Sequence, residues 1–271
     1  MKIALVIFIT LALAGCALLS LHMGVIPVPW RALLTDWQAG REHYYVLMEY
    51  RLPRLLLALF VGAALAVAGV LIQGIVRNPL ASPDILGVNH AASLASVGAL
   101  LLMPSLPVMV LPLLAFAGGM ALWLTGSLWG RDWSFVKIAI PLMILFLPLS
   151  LSFCRDLDLL ALGDARATTL GVSVPHTRFW ALLLAVAMTS TGVAACGPIS
   201  FIGLVVPHMM RSITGGRHRR LLPVSALTGA LLLVVADLLA RIIHPPLELP
   251  VGVLTAIIGA PWFVWLLVRM R

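Results

Sequence analysis

An all-α bundle of helices that crosses a membrane many times is the fold this sequence predicts, and three observations predict it. Of 271 residues, 62% are hydrophobic and only 10% charged, with a mean hydropathy of +1.09; that leaves too little polar surface to coat a water-soluble globule. The apolar residues fall into runs close to the ~20 residues that span the hydrocarbon of a bilayer. Between the runs stand short basic clusters, above all Arg211, Arg217, His218, Arg219 and Arg220 at the end of a segment broken by Gly and Pro. Such a cluster is costly to carry across a bilayer and holds its loop on the cytoplasmic side. The same loop bias, together with anionic headgroups, accounts for the net charge of +8 without any nucleic-acid partner.

The first run, residues 3–21, follows Lys2, and its Leu13-Ala14-Gly15-Cys16 has the form of a lipoprotein signal. Everything after residue 50 is again membrane-like, so the run is an uncleaved first span with its N-terminus inside. Residues 22–54 are polar and carry Trp30, Trp37, Tyr44, Tyr45 and Tyr50, which suits an extracytoplasmic segment at the interface. Further spans are expected at 55–76, 85–103, 106–122, 136–153, 179–196, 199–210, 221–239 and 251–268, the run at 199–210 being short for a crossing. Nine spans put the termini on opposite faces. Lys2, the basic cluster, Arg269 and Arg271 all ask for the cytoplasm, which needs an even number, and the two assignments collide between residues 104 and 137.

No catalytic centre is legible. Cys16, Cys154 and Cys196 are far apart without a C-x-x-C pair, and no H-E-x-x-H occurs, so neither a disulfide framework nor a metal site is expected. Ser200 and His208 suggest an intramembrane hydrolase only weakly: Gly203 and Pro207 lie between them and there is no G-x-S-x-G elbow. No G-x-x-x-x-G-K-[ST] is present to cradle a nucleotide, and no cofactor is implied. Gln73, Asn78, Ser200, His208 and Asp237 sit within or at the ends of spans and should face the bundle interior or an interface. Gly62, Gly69, Gly203, Pro207, Gly252 and Gly259 are helix-packing positions, with a gating movement as the alternative use.

Arg51-Leu-Pro-Arg54, the stretch from Gly62 to Val88, Leu162-Gly-Asp-Ala-Arg-Ala-Thr-Thr-Leu-Gly-Val172, Gly197 to Arg211 and Glu248 to Phe263 recur in order and together cover nearly the whole chain. On these motifs the chain resembles the FecCD-type permeases of iron-chelate and cobalamin ABC importers, and its wording is nearest those members that carry ferric dicitrate. The resemblance implies a type II importer permease fold in a bacterial inner membrane. It implies four partners: a separate ATPase, a sister permease in a heterodimer, a periplasmic binding protein and an iron(III) chelate. Other ferric siderophores or cobalamin are the alternative cargo; an intramembrane enzyme or a non-transporting structural subunit are the alternatives of another class. Arg51, Arg54 and Arg241 match positions that dock acidic residues of the binding protein, although arginines at helix ends also anchor by snorkelling. Residues 154–178 match the loop that sits in a groove of the ATPase, with Leu162, Gly163, Asp164, Ala165, Arg166, Leu170 and Gly171 at its centre. Two short helices separated by Gly171, with Asp164 as cap, would suit that loop. Family members usually carry ten spans and are longer than this chain, the shortfall falling after Met120.

Overall fold

The computed structural model describes residues 2–83, 128, 130–243 and 248–269, and every regular element among them is helical. α1 (Lys2–His22) leads into the polar segment, which holds one turn of helix, α2 (Ala32–Thr35). α3 (Leu52–Val76) is the central helix. α4 (Trp133–Leu149) passes through a tight turn at Ser150–Phe153 into α5 (Cys154–Leu160), and α6 (Asp164–Thr169) follows. α7 (Val174–Cys196), α8 (Ile202–Thr214), α9 (His218–Ile242) and α10 (Val251–Arg269) complete the described chain. Among the described residues, five stretches are long and apolar enough to cross a membrane: Ile3–His22, Tyr45–Val76, Trp133–Leu160, Val174–Cys196 and His218–Ile242. The spans expected at 85–103 and 106–122 lie outside the described residues.

The end of the polar segment is already helical: turns begin at Tyr45 and lead without a break into α3. Pro53 explains the form of that join. It has no N–H to donate and its ring crowds the carbonyl four residues back, and the helix relieves this with wide i→i+5 turns over Tyr45–Arg51. The run at 199–210 does not form a helix of span length. It becomes α8, 13 residues and about 20 Å long, which starts only after Gly197–Phe201 has left the helical path. Non-helical backbone at membrane depth must be enclosed by protein; accordingly, Ile199 and Ile202 at the break are fully buried.

α3 is enclosed by α9, α7, α8 and α4, whereas α1 turns Ile3, Phe8 and Leu11 outward at 78%, 68% and 67% exposure. In a soluble protein such exposure would be a liability; on a membrane helix it is the lipid-facing side. Since lipid tails are as apolar as leucine, close backbone approach rather than hydrophobic burial must hold these helices together. Gly62 and Gly229 supply it where α3 meets α9: a Cβ on Gly62 would stand 2.4 Å from the Gly229 carbonyl oxygen. Where α3 meets α8, a Cβ on Gly69 would stand 1.9 Å from the Gly203 carbonyl oxygen. That carbonyl is free to lie there because its intrahelical donor would be residue 207, a proline. Gly259 of α10 likewise admits the Phe201 ring, while Gly252 is half-buried and accepts a 3.0 Å bond from the Thr255 hydroxyl.

The helix ends sort onto two faces. The end of α1, the start of α3, the end of α9 and the segment before α10 meet at one face through Ser20, Arg54, Arg241 and Glu248. The start of α1, the end of α3, α5, α6 and the start of α9 meet at the other, where the basic cluster lies. Residues 77–83 follow the end of α3 at the basic face, and Trp133 donates to the Met48 carbonyl at the first face. The described residues on the two sides of this gap thus lie at opposite faces, whereas the expected pair of spans would return the chain to the face it left; this is the collision seen in the sequence.

Candidate functional site

At the first face the charged residues form a closed network. Asp237, alone in the apolar run of α9, is 1% exposed and must find a partner inside the bundle. Arg54 Nε reaches it at 2.7 Å and Arg241, one helical turn along α9, at 3.2 Å. Arg54 also donates to Glu248 at 2.5 Å, which in turn accepts from the Tyr50 hydroxyl at 2.9 Å. Arg241 donates to the Ser20 carbonyl at 3.1 Å and to the Ser20 hydroxyl at 2.5 Å. Arg51 spends its guanidinium on the carbonyls of Leu21, His22 and Ile26, closing the end of α1 and the turn after it.

Arg51, Arg54 and Arg241, the positions that the resemblance assigns to binding-protein docking, turn their guanidinium groups onto partners of the same chain. They are 3%, 2% and 3% exposed. Carboxylates and carbonyls of the same chain take their donors, because a cation left unpaired in a low-dielectric bundle costs several kcal/mol. Sequence reasoning missed the network although half its signal was present. A lone aspartate in an apolar helix demands a cation, and Arg241 at i+4 is one, but Arg54 and Glu248 come from distant segments. Outside the spans, Asp36 pairs with His43 at 2.9 Å, and hydrogen bonds from His43 and Thr35 hold its carboxyl below the usual carboxylate range.

At the basic face the loop between α4 and α7 takes a shape that the sequence foretold only in part. Two short helices are present, but the break between them falls at Ala161–Gly163, whereas Gly171 separates α6 from the long α7. Gly163 has φ +104° and ψ +153°, a region essentially restricted to glycine. Gly171 has φ +87° with open space around it, so a side chain there would meet backbone strain and nothing else. Asp164 is not the cap of α6. It is the first helical residue, and its carboxylate accepts from Arg77 at the end of α3 and from Arg178 of α7 at 2.9 Å. Arg77, itself in a left-handed conformation, thus fixes the loop to the central helix.

The apolar residues of this loop divide. Ala167, Leu157 and Leu160 are fully buried and root the loop, while Leu162 and Leu170 are 51% and 50% exposed. Ala165 and Arg166 are also exposed. Behind the loop lies a cavity of about 290 Å³ lined in part by Gln73, Gly74, Leu157 and His218. His218 is tied to Asp158 of α5 through both its backbone N–H and its ring, at 2.9 and 2.6 Å. The two faces are joined by α3 and α9, whose glycine contacts lie between them.

No group of His, Cys, Asp and Glu able to hold a metal occurs among the described residues. The three cysteines are free.

Comparison with known proteins agrees with this architecture. The model of the FecCD transport family matches residues 10–122 and 120–269, two pieces that meet at the point where the sequence falls short. The Fe(3+) dicitrate transport system permease protein FecD of Escherichia coli strain K12 is 85% identical over 318 positions, covering 100% of both chains. The chain has 271 residues, and 85% of 318 is about 270, so the difference between the two proteins lies almost wholly in a stretch this chain lacks. The Fe(3+)-citrate import system permease protein YfmE of Bacillus subtilis strain 168 is 37% identical, covering 97% of this chain and 94% of its own. A solved structure described as an inward-facing metal-chelate type ABC transporter superposes with a TM-score of 0.84 at 27% identity, covering 99% of this chain and 100% of its own. With a family model that spans almost the whole sequence, the chain belongs to the FecCD transport family of ABC importer permeases, helical membrane proteins that are not enzymes.

Proposed function

We propose that this chain is the inner-membrane permease subunit of an ATP-driven importer for an iron(III) chelate, ferric dicitrate, delivered by a periplasmic binding protein. The observation that carries the cargo is the near-complete identity to the dicitrate permease over every residue the two chains share. The architecture supports the mechanism. α5 and α6 form a loop pinned by Asp164 to α3 and α7, with Leu162 and Leu170 projecting to meet a separate ATPase. Closure of the ATPase would push this loop, and α3 would carry the displacement towards the opposite face as a rigid body. A sister permease completes the path. The face of the ion-pair network is the periplasmic one and receives the binding protein; there Arg51, Arg54 and Arg241 hold the helix ends beneath the docking surface. The basic face is cytoplasmic by its charge.

A second reading has one observation in its favour. The family match breaks at residues 120–122, so the chain would assemble with its partners without transporting. Reconstituting it with the ATPase, a sister permease and the binding protein, then measuring ATPase co-purification and uptake of radiolabelled iron(III) dicitrate, separates the two. Association with uptake supports the importer, association without uptake the non-transporting subunit, and failure to bind the ATPase removes both.

A further inference from the structure

A groove on the membrane-facing surface is used by neither the network nor the loop. It lies between the first turns of α1 and α9 at the basic face and encloses about 600 Å³. Ile3, Val6 and Ile7 form one wall, and Pro223 and Val224 part of the other. Arg219 and Arg220 line its end, both exposed and neither in an ion pair among the described residues. The same two helices are bolted together at the far end by Arg241 and Ser20. Near the groove no hydrogen bond links them among the described residues, and Ile3 and Ile7 are 78% and 54% exposed.

We propose that this groove binds one anionic glycerophospholipid, its phosphate on Arg219 and Arg220 and an acyl chain along Ile3, Val6 and Ile7. The inference rests on the helices spanning a bilayer and on the composition of the groove. A slot walled by isoleucine, valine and proline suits a hydrocarbon chain. Two adjacent guanidinium groups at its membrane-surface end match the geometry of a phosphodiester, which arginine engages through paired N–H donors. Basic pockets between membrane helices hold anionic headgroups for the same reason. A zwitterionic lipid would fill the apolar slot but would bring an ammonium group towards two cations. The bound lipid would add a further contact between α1 and α9 at this end.

The test is native mass spectrometry of the purified chain after reconstitution in mixed phosphatidylglycerol and phosphatidylcholine. Wild type should retain one phosphatidylglycerol per chain in preference to phosphatidylcholine. Arg219→Ser with Arg220→Ser should weaken that retention about thirtyfold, two arginines each contributing about 1 kcal/mol at the membrane surface. Ile7→Trp, on an exposed position where folding is not at stake, should displace the lipid by filling the slot while both arginines remain. Raising ionic strength on wild type should lower retention without any mutation. Equal retention of the two lipids, or unchanged phosphatidylglycerol binding in the double arginine variant, overturns the proposal.

Discussion

Replacing Asp237 by leucine should unfold more of this protein than any other single carboxylate change. The side chain is 1% exposed, accepts a hydrogen bond from Arg54 at 2.7 Å and forms an ion pair with Arg241 at 3.2 Å. Its removal strands charge in the bundle, and breaking a buried pair in this way costs about 3–5 kcal/mol. Arg54 keeps Glu248 and Arg241 keeps Ser20, so the lower part of that range applies. At roughly 2–4 °C per kcal/mol for a chain of this size, the apparent melting midpoint in detergent should fall by on the order of 10 °C. Adding Arg54→Met to Asp237→Leu removes both charges of the pair and should recover a large part of the loss, since an apolar replacement of a buried pair is close to neutral. Arg54→Glu is the decisive companion. If Arg54 serves only to dock a partner, the variant should fold normally and bind weakly. Placed beside Asp237 and Glu248, it sets three carboxylates at one buried point, and the chain should fail to accumulate in the membrane. A midpoint within about 2 °C of wild type for Asp237→Leu, or a stable Arg54→Glu protein, would refute the network as the element that holds this face.

Three further outcomes are expected. Gly171→Val meets no neighbour but forces a β-branched residue to a positive φ, a local cost of about 1 kcal/mol or more, so membrane insertion should persist while ATPase co-purification falls; unchanged association in that variant removes the turn from the coupling argument. Gly229→Ala drives a methyl to 2.3 Å from the Gly62 carbonyl and 2.5 Å from Ala66 Cβ, and overpacking of this kind should lower stability by about 1–3 kcal/mol, read as a lower midpoint than that of Gly216→Ala, which has open space around it. Reporter fusions at the two ends should both report the cytoplasm, because Lys2 and Arg219 belong to one basic face and α10 starts at the other; a periplasmic C-terminal reporter would show that α10 does not return.

The sequence by itself determined the solvent and the chemistry. Runs of about 20 apolar residues can be satisfied only by helices in a bilayer, because each backbone group must bond within its own segment. The ordered motifs from Arg51 to Phe263 carried the family, and the glycines of α3 and α8 marked the helices that approach closely. Single residues whose partners lie near in the chain were legible too: a glycine at 171 in a turn requires little beyond its neighbours. What needed the tertiary structure was the fate of charge. Arg54 lies 183 residues from Asp237 and 194 from Glu248 along the chain, and only the fold brings them together. A motif arginine reads the same in sequence whether it points at a partner or at its own bundle; desolvation decides, and desolvation belongs to packing. The break at Gly197–Phe201 was hidden for the same reason. An apolar run of the right composition signals a span, yet whether its backbone stays helical depends on neighbours such as Gly69 and Gly259 that leave room for it to turn aside.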